Sequence, residues 1–176
     1  VSYSNFFFFD WFGGATLDGV QWAIGLNPTI PLDLDVSSGT GAINLDLSTF
    51  QLTSLRVNTG TGSVDLALPA VPDDYTARVE TGTGAGRIRL LDAANVHLIL
   101  NSGTGSMTID VPDGAAVRLQ ASVGTGSVNV PSSLNRISGE DGFIGDSGTW
   151  ETADFDAAEH QITIEYDGGT GSLNLN

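Results

Sequence analysis

The sequence has no cysteine and no lysine, and only two histidines and one methionine among its 176 residues. Without cysteine, neither disulfides nor thiolate metal sites can hold the fold together. Six arginines against 21 acidic residues leave a formal net charge of −15, which disfavours binding to nucleic acid or to an anionic membrane surface. No apolar run reaches the length of about 18 residues that a membrane-spanning helix needs, so no transmembrane segment is predicted.

Glycine is abundant, with 23 residues, and much of it lies in a repeated Gly-Thr-Gly motif that serine or alanine follows in most copies. With one degenerate copy included, the first glycines lie 21, 22, 21, 21, 24 and 21 residues apart, which is typical of a repeat architecture. A degenerate copy, Ser147-Gly148-Thr149-Trp150, lies between the last two complete ones. Because glycine permits a positive φ angle and a close backbone approach, the motif predicts structural turns at Gly39, Gly41, Gly60, Gly62, Gly82, Gly84, Gly103, Gly105, Gly124, Gly126, Gly169 and Gly171.

Apolar and polar residues alternate on both sides of each motif, as in strands with one buried face. Two short strands per 21 residues leave no room for a helix. The predicted fold is therefore all-β, a flattened single-chain β-solenoid of about seven to eight 21-residue coils with parallel stacked strands. An antiparallel meander is the alternative. We expect Leu66, Leu98 and Ile109 to be buried, and Asp65 to face outward.

Stacking the coils at a spacing of about 4.8 Å brings oppositely charged residues onto neighbouring strands. Directly opposed pairs of this kind contribute about 0.2–1 kcal/mol each and favour the correct register. The predicted pairs are Asp35 with Arg56, Asp65 with Arg87, and Arg89 with Asp110.

The beginning of the chain breaks the repeat, because seven aromatic residues lie between positions 3 and 12. We therefore divide the chain into an aromatic N-terminal arm or cap at 1–16 and a β-solenoid repeat domain at 17–176, with an irregular acidic excursion at 138–158. The aromatic run either caps the chain's own first coil or docks on a neighbouring subunit. A juxtamembrane remnant is a third interpretation.

The last strand stops in mid-coil with no helix or charged cap after it. An uncovered last coil exposes unpaired backbone and apolar side chains. This predicts a homo-oligomer that associates head-to-tail, and an open contact of that kind generates filaments. The predicted self-association residues are Phe6, Phe7, Phe8, Phe9, Trp11, Phe12, Leu173 and Leu175.

No catalytic set is recognisable, and we expect no enzymatic activity. His97 lies on the outward phase of a strand, and His160 has no second histidine or cysteine at ligand spacing. The serines and threonines lie at turns without a neighbouring base to activate them. No cofactor is expected; within the acidic excursion, a calcium site is the alternative to a solvated loop. Its candidate ligands are Asp146, Glu151, Asp154 and Asp156.

The segment Gly-Thr-Gly-Ser-Val-Asp-Leu-Ala-Leu-Pro at 60–69, repeated every 21 or so residues, resembles the toast-rack and adhesin-type β-strand-repeat domains of bacteria. The resemblance covers about residues 30–176 and implies an extracytoplasmic or envelope-associated protein without a shared catalytic set. The leading hypothesis is a non-enzymatic extracellular or cell-surface structural protein, adhesin-like and self-assembling into filaments. The alternative is an extracytoplasmic sensor or binding module of a cell-envelope stress-response membrane protein, with a surface or envelope partner.

Overall fold

The computed structural model describes residues 26–71, 73–141 and 145–176. No helix in these ranges is long and apolar enough to cross a membrane. The only described helix is a single 3-10 turn, η1 (Phe155–Ala157). The strands are β1 (Leu32–Asp46), β2 (Leu52–Ala67), β3 (Tyr75–Arg89), β4 (Val96–Asp110), β5 (Ala116–Asn129), β6 (Leu134–Asp141), β7 (Asp146–Thr152) and β8 (Gln161–Leu175).

The eight strands form one sheet in the order β1-β2-β3-β4-β8-β5-β7-β6. Strands β1, β2, β3, β4, β8 and β5 pair in parallel, whereas β7 pairs antiparallel with β5 and β6 antiparallel with β7. The predicted all-β fold with parallel stacked strands is confirmed. The predicted number of coils is not, because within the described ranges six strands contain a complete Gly-Thr-Gly corner.

Each long strand bends at its corner, and both of its arms contribute to one core. In β2, Leu55 and Val57 precede the corner and Val64 and Leu66 follow it, and all four belong to the same buried cluster. Val57 and Val64 lie seven positions apart, so the alternation must reverse phase at the corner for both to face inward. The sheet therefore folds about its line of corners and encloses the core between the two arms, which is the geometry of a flattened β-solenoid.

The C-terminal strand does not end the stack. Strand β8 lies between β4 and β5 and pairs with both along almost its whole length. Leu173 is opposite Met107 on one side and Val128 on the other, and both Leu173 and Leu175 are buried. The expectation of an uncovered terminal coil is therefore wrong, because a later copy of the motif is inserted between two earlier ones.

Hydrogen bonds that involve two asparagines, Asn95 and Asn176, fix β8 beside β4 at both ends. The buried Asn95 accepts a hydrogen bond from the Gln161 backbone N–H at 2.8 Å. At the other end, Asn176 donates to Asp110 Oδ1 at 3.0 Å, and its backbone N–H donates to the carbonyl of Ile109 at 2.9 Å. These bonds satisfy polar groups at the positions where β8 enters and leaves the stack.

The segment between β5 and β8 forms an antiparallel hairpin, β6–β7, on the outer edge of the sheet. The degenerate motif at 147–150 lies in β7 and pairs antiparallel with β5, so it does not form a further parallel coil. Trp150 is buried opposite Leu119, and the Arg136 guanidinium lies 4.9 Å from the centre of a Trp150 ring. Phe155 of η1 is buried beneath Arg118 of β5 at 4.1 Å, which holds the return path to β8 against the sheet.

We expect truncation of one core residue to destabilise the domain strongly. Leu66, Leu98 and Ile109 are fully buried, Leu66 and Ile109 in one ladder and Leu98 in the ladder of the other arm. Replacing any one with alanine should therefore lower the free energy of unfolding by about 2–5 kcal/mol. Asp65→Ala is the control because its side chain is on the outer face, and it should cost less than half as much. Chemical denaturation measures the difference, and equal losses would contradict this strand phase.

Candidate functional site

The six complete corners stack directly on one another. The second glycine of each motif has a positive φ, between +114° at Gly41 and +146° at Gly62 and Gly84. A Cβ at Gly62, Gly84, Gly105, Gly126 or Gly171 would also overlap the carbonyl of the neighbouring corner. Conformation and close packing thus both require glycine there, and the corners form a continuous line across the sheet.

The outer face next to this line carries ion pairs, but they differ from the predicted ones. Arg87 Nε lies 2.7 Å from Asp110 Oδ2, and Arg89 Nη2 lies 2.5 Å from Asp65 Oδ1. The predicted partners are opposite in the ladder, but the long arginine side chains reach diagonally. A hydrogen bond from Asn176, and after it the pairing with Arg87, hold the pKa of Asp110 below its ordinary value.

The third predicted pair is absent as well. Asp35 and Arg56 are opposite each other in register, yet no ion pair of at most 4.0 Å joins these two described residues.

Three of the four candidate calcium ligands contact arginines, whereas the fourth, Asp154, directly precedes η1. Asp146 lies 3.1 Å from Arg136 Nη2, whereas Glu151 and Asp156 contact Arg118 at 2.5 and 2.9 Å. Within the ranges that the structure describes, no three acidic, histidine or cysteine side chains are placed to hold one metal ion. The arginines explain why these carboxylates do not converge, and calcium binding stays a prediction.

The two histidines lie apart on the surface of the sheet. His97 Nε2 is 2.9 Å from Glu165 Oε1 across β4 and β8, and His160 Nδ1 is 3.3 Å from the side chain of Asn95. Both contacts join neighbouring chain segments, so the structure gives each histidine a structural partner.

A groove with a polar lining, which we call the polar groove, crosses the outer face of the sheet on the N-terminal side of the line of corners. It consists of two adjoining open cavities of about 490 and 640 Å³ that share Asn101 and Asp167. Its central column follows the register of six adjacent strands, β2, β3, β4, β8, β5 and β7. The side chains of this column are Asn58, Glu80, Asn101, Asp167, Ser122 and Ser147.

The hairpin β6–β7 forms one side of the polar groove. Ser138 and Gly139 of β6 and Gly148 and Thr149 of β7 line it. Gln120 and Glu165 add an amide and a carboxylate to its lining. Among the described residues that line the two cavities, none is cationic. The polar groove is therefore rich in hydrogen-bonding groups and negative in charge.

The two edges of the sheet differ in length and shape. Strand β1 has 15 residues, and among the described residues no strand pairs with its outer edge. A Cβ at Gly39 would meet nothing within 4 Å, in contrast to the first glycines of the other five corners. Strand β6 has eight residues, with an irregularity between Arg136 and Ser138 and a positive φ of +109° at Gly139. Short, bulged strands disfavour edge-to-edge pairing, so β1 is the open edge.

Comparison with known proteins agrees with this architecture. Residues 12–90 match the family model of the N-terminal domain of toast_rack, DUF2154. The crystal structure of a "putative cell adhesion protein" from Clostridium sporogenes superimposes with a TM-score of 0.55 at 24% sequence identity. The alignment covers 85% of this chain and 57% of that one, so this chain spans little more than half of its structural neighbour. No curated protein matches the sequence.

Over residues 12–90 the chain is similar to the toast-rack family, and its fold is similar to that of the solved neighbour. The family match begins before the described residues and ends directly after β3, so it covers the start of the interval that resembled this family in sequence.

The structure separates the two predicted parts of the self-association surface. Six of its residues, Phe6, Phe7, Phe8, Phe9, Trp11 and Phe12, lie outside the described residues, as does the proposed boundary at residue 16. Leu173 and Leu175 lie inside the sheet, buried between strands of the same chain. They cannot contact a second molecule while the sheet is intact.

Sequence reasoning missed the polar groove and the asparagines that hold β8. The polar groove depends on residues from six strands and on a hairpin, and the repeat pattern assigns no position to that hairpin. A weak signal was present: Asn58 and Asn101 occupy the same position relative to their corners, two residues before the first glycine. Aspartate, glutamate or serine fills it in four other copies.

Proposed function

We propose that this chain is a non-enzymatic, adhesin-like binding domain displayed outside the cytoplasm. The observation that carries the proposal is the polar groove, an extended surface that a rigid scaffold holds open. The sheet fixes each residue of the central column through a strand paired on both sides, so little conformational entropy is lost when a ligand binds. The family match and the adhesion-related neighbour support this class of function.

The absence of enzymatic activity is part of the proposal. Each histidine is engaged by one neighbouring side chain, and three acids of the β5–β8 segment, Asp146, Glu151 and Asp156, pair with arginines. A catalytic site requires a nucleophile or base within hydrogen-bond reach of a second activating group and an opening for substrate. The charged groups here act as ties between strands.

Location outside the cytoplasm can be tested by cysteine labelling, because the sequence contains no cysteine of its own. Thr104 lies on an exposed corner, so the T104C variant should react in intact cells with a maleimide that cannot cross membranes. Ile109→Cys is the matched control; its position is fully buried, and it should react only after denaturation. Labelling of T104C solely in lysed cells would reject an extracytoplasmic location.

The alternative function, a discrete envelope module, is favoured over a filament by the two sheet edges. Filament growth requires two complementary open edges, and the structure offers a long open β1 at one side and a short, bulged β6 at the other. Among the described strands, β1 is therefore the edge that is open to self-association, and two β1 edges would form a closed dimer.

We expect the purified full chain to sediment as a monomer or dimer, without fibres in electron micrographs. Added salt should favour the dimer, because it screens the repulsion between chains of net charge −15. Val36→Lys on β1 should give only monomer, whereas Ile137→Lys on β6, where the side chain is 59% exposed, should leave the distribution unchanged. Fibres of uniform width that Ile137→Lys abolishes would restore the filament hypothesis.

A further inference from the structure

The dimensions of the polar groove indicate an elongated ligand. Its central column runs across six strands in register. Five intervals of about 4.8 Å give a length of about 24 Å. Both cavities are open to solvent along this direction and share their middle residues, Asn101 and Asp167. A chain-like molecule that lies perpendicular to the strands could contact every step of the column.

The lining defines the chemistry of this ligand. Amides at Asn58, Asn101 and Gln120 both donate and accept hydrogen bonds, hydroxyls at Ser122 and Thr149 do the same, and carboxylates accept. Asn101, Gln120 and Ser122 make no side-chain hydrogen bond to another described residue, so their capacity is available. This composition suits a ligand with many hydroxyl groups.

Charge disfavours several polymers. The described lining has the carboxylates of Glu80, Glu165 and Asp167 but no cation, and the whole chain is strongly negative. These carboxylates and the net charge of the chain disfavour nucleic acids and sulfated or acidic glycans, although Arg56 and Arg78 lie one ladder away on the same face. The ligand should therefore be neutral or carry amines.

An extended peptide also fits poorly. The floor of the groove is the face of a sheet whose strands are already paired on both sides, so a peptide cannot add as a further strand there. Side chains on one face of an extended peptide recur at about 6.6 Å, which does not match a column spaced at about 4.8 Å. Sugar hydroxyls project around each ring and require no such match.

We propose that the polar groove binds a linear, uncharged or amine-bearing polysaccharide. This inference rests on the proposed adhesin-like function and names its ligand class. The chain lies across the strands, with Asn101 and Asp167 at the middle of the contact and the β6–β7 hairpin along one side.

Calorimetric titration of the full chain tests this with neutral β-1,4-linked oligosaccharides of glucose and of N-acetylglucosamine, from disaccharide to hexasaccharide. The dissociation constant should fall with oligosaccharide length until the groove is filled. Asn101→Ala should weaken hexasaccharide binding at least tenfold, equivalent to about 1.4 kcal/mol. Asn44→Ala is the matched control, an exposed asparagine on β1 outside the groove, and it should leave binding within twofold. Gln120→Ala serves as a second groove variant if Asn101→Ala is destabilised.

Three results would overturn the inference. The first is that neither oligosaccharide series binds at millimolar concentration, and the second is that Asn101→Ala and Gln120→Ala both bind the hexasaccharide as tightly as the unaltered chain does. The third is that Asn44→Ala weakens binding as much as Asn101→Ala does. Preferential binding of a heparin oligosaccharide or of an extended serine-rich peptide would also overturn it. Surface labelling of T104C in intact cells without oligosaccharide binding would reject the ligand class alone. A failure of the labelling would instead reject the proposed location.

Discussion

Gly105→Ala should prevent the domain from folding, or should lower its free energy of unfolding by more than about 4 kcal/mol. Gly105 has a φ of +144°, which residues with a Cβ rarely adopt. A Cβ there would also overlap the carbonyl oxygen of Gly84 in the adjacent corner. Relief would require moving two strands apart and breaking their shared ladder. Thermal and chemical unfolding followed by circular dichroism measure the loss.

Two glycines provide matched controls for this substitution. Gly39 occupies the same motif at the open edge, where a Cβ meets nothing within 4 Å, so Gly39→Ala should change stability by less than about 1 kcal/mol. Gly114 has a φ of +76° in a loop with free space around it, so Gly114→Ala isolates the conformational cost, about 1 kcal/mol. If Gly105→Ala cost no more than Gly114→Ala, close stacking of the corners would be wrong.

Leu173→Arg should abolish folding, because this residue is at the centre of the stack. Its side chain is fully buried between Met107 of β4 and Val128 of β5. A buried guanidinium without a partner costs several kcal/mol, in addition to the lost apolar contacts. Leu173→Ala, which adds no charge, should still cost about 2–5 kcal/mol. Expression in soluble form and denaturant titration give the result.

Ile137 on β6 is an exposed apolar residue, so an arginine at this position controls for the effect of adding a charge to a strand without burying it. It is 59% exposed, so Ile137→Arg should alter stability by less than about 0.5 kcal/mol. If β8 were instead the last strand of the stack, the Leu173→Arg variant should be folded and stable, with altered self-association. A folded Leu173→Arg variant would thus show that β8 is not inserted between β4 and β5.

The two predictions address different features of the same stack. Gly105→Ala tests the corner, where backbone meets backbone, and Leu173→Arg tests the order of the strands. The polar groove depends on both. Its column passes from β4 through β8 to β5, so removing β8 would take Asp167 and Glu165 out of the lining and divide the groove.

The sequence by itself determined the strands, the corners and the register. Alternation assigns Leu66 to the core and Asp65 to the outer face, and the positions of the glycines align Gly60, Gly82 and Gly103 on neighbouring strands. These features follow from local periodicity, since the side-chain period of a strand is two and only glycine fits the stacked corner. No long-range information is needed for them.

Only the tertiary structure decided the order of the strands. All complete corners have the same shape, so any copy can stack on any other, and the motif does not specify neighbours. The order depends on particular contacts instead: Asn95 and Asn176 fix β8 beside β4, and Trp150 and Phe155 anchor the β6–β7 hairpin and its return path against β5. The same applies to the arginines, whose length lets Arg87 and Arg89 reach diagonal partners. Repetition specified how each coil is built, and the residues that break the repetition specified where each coil lies.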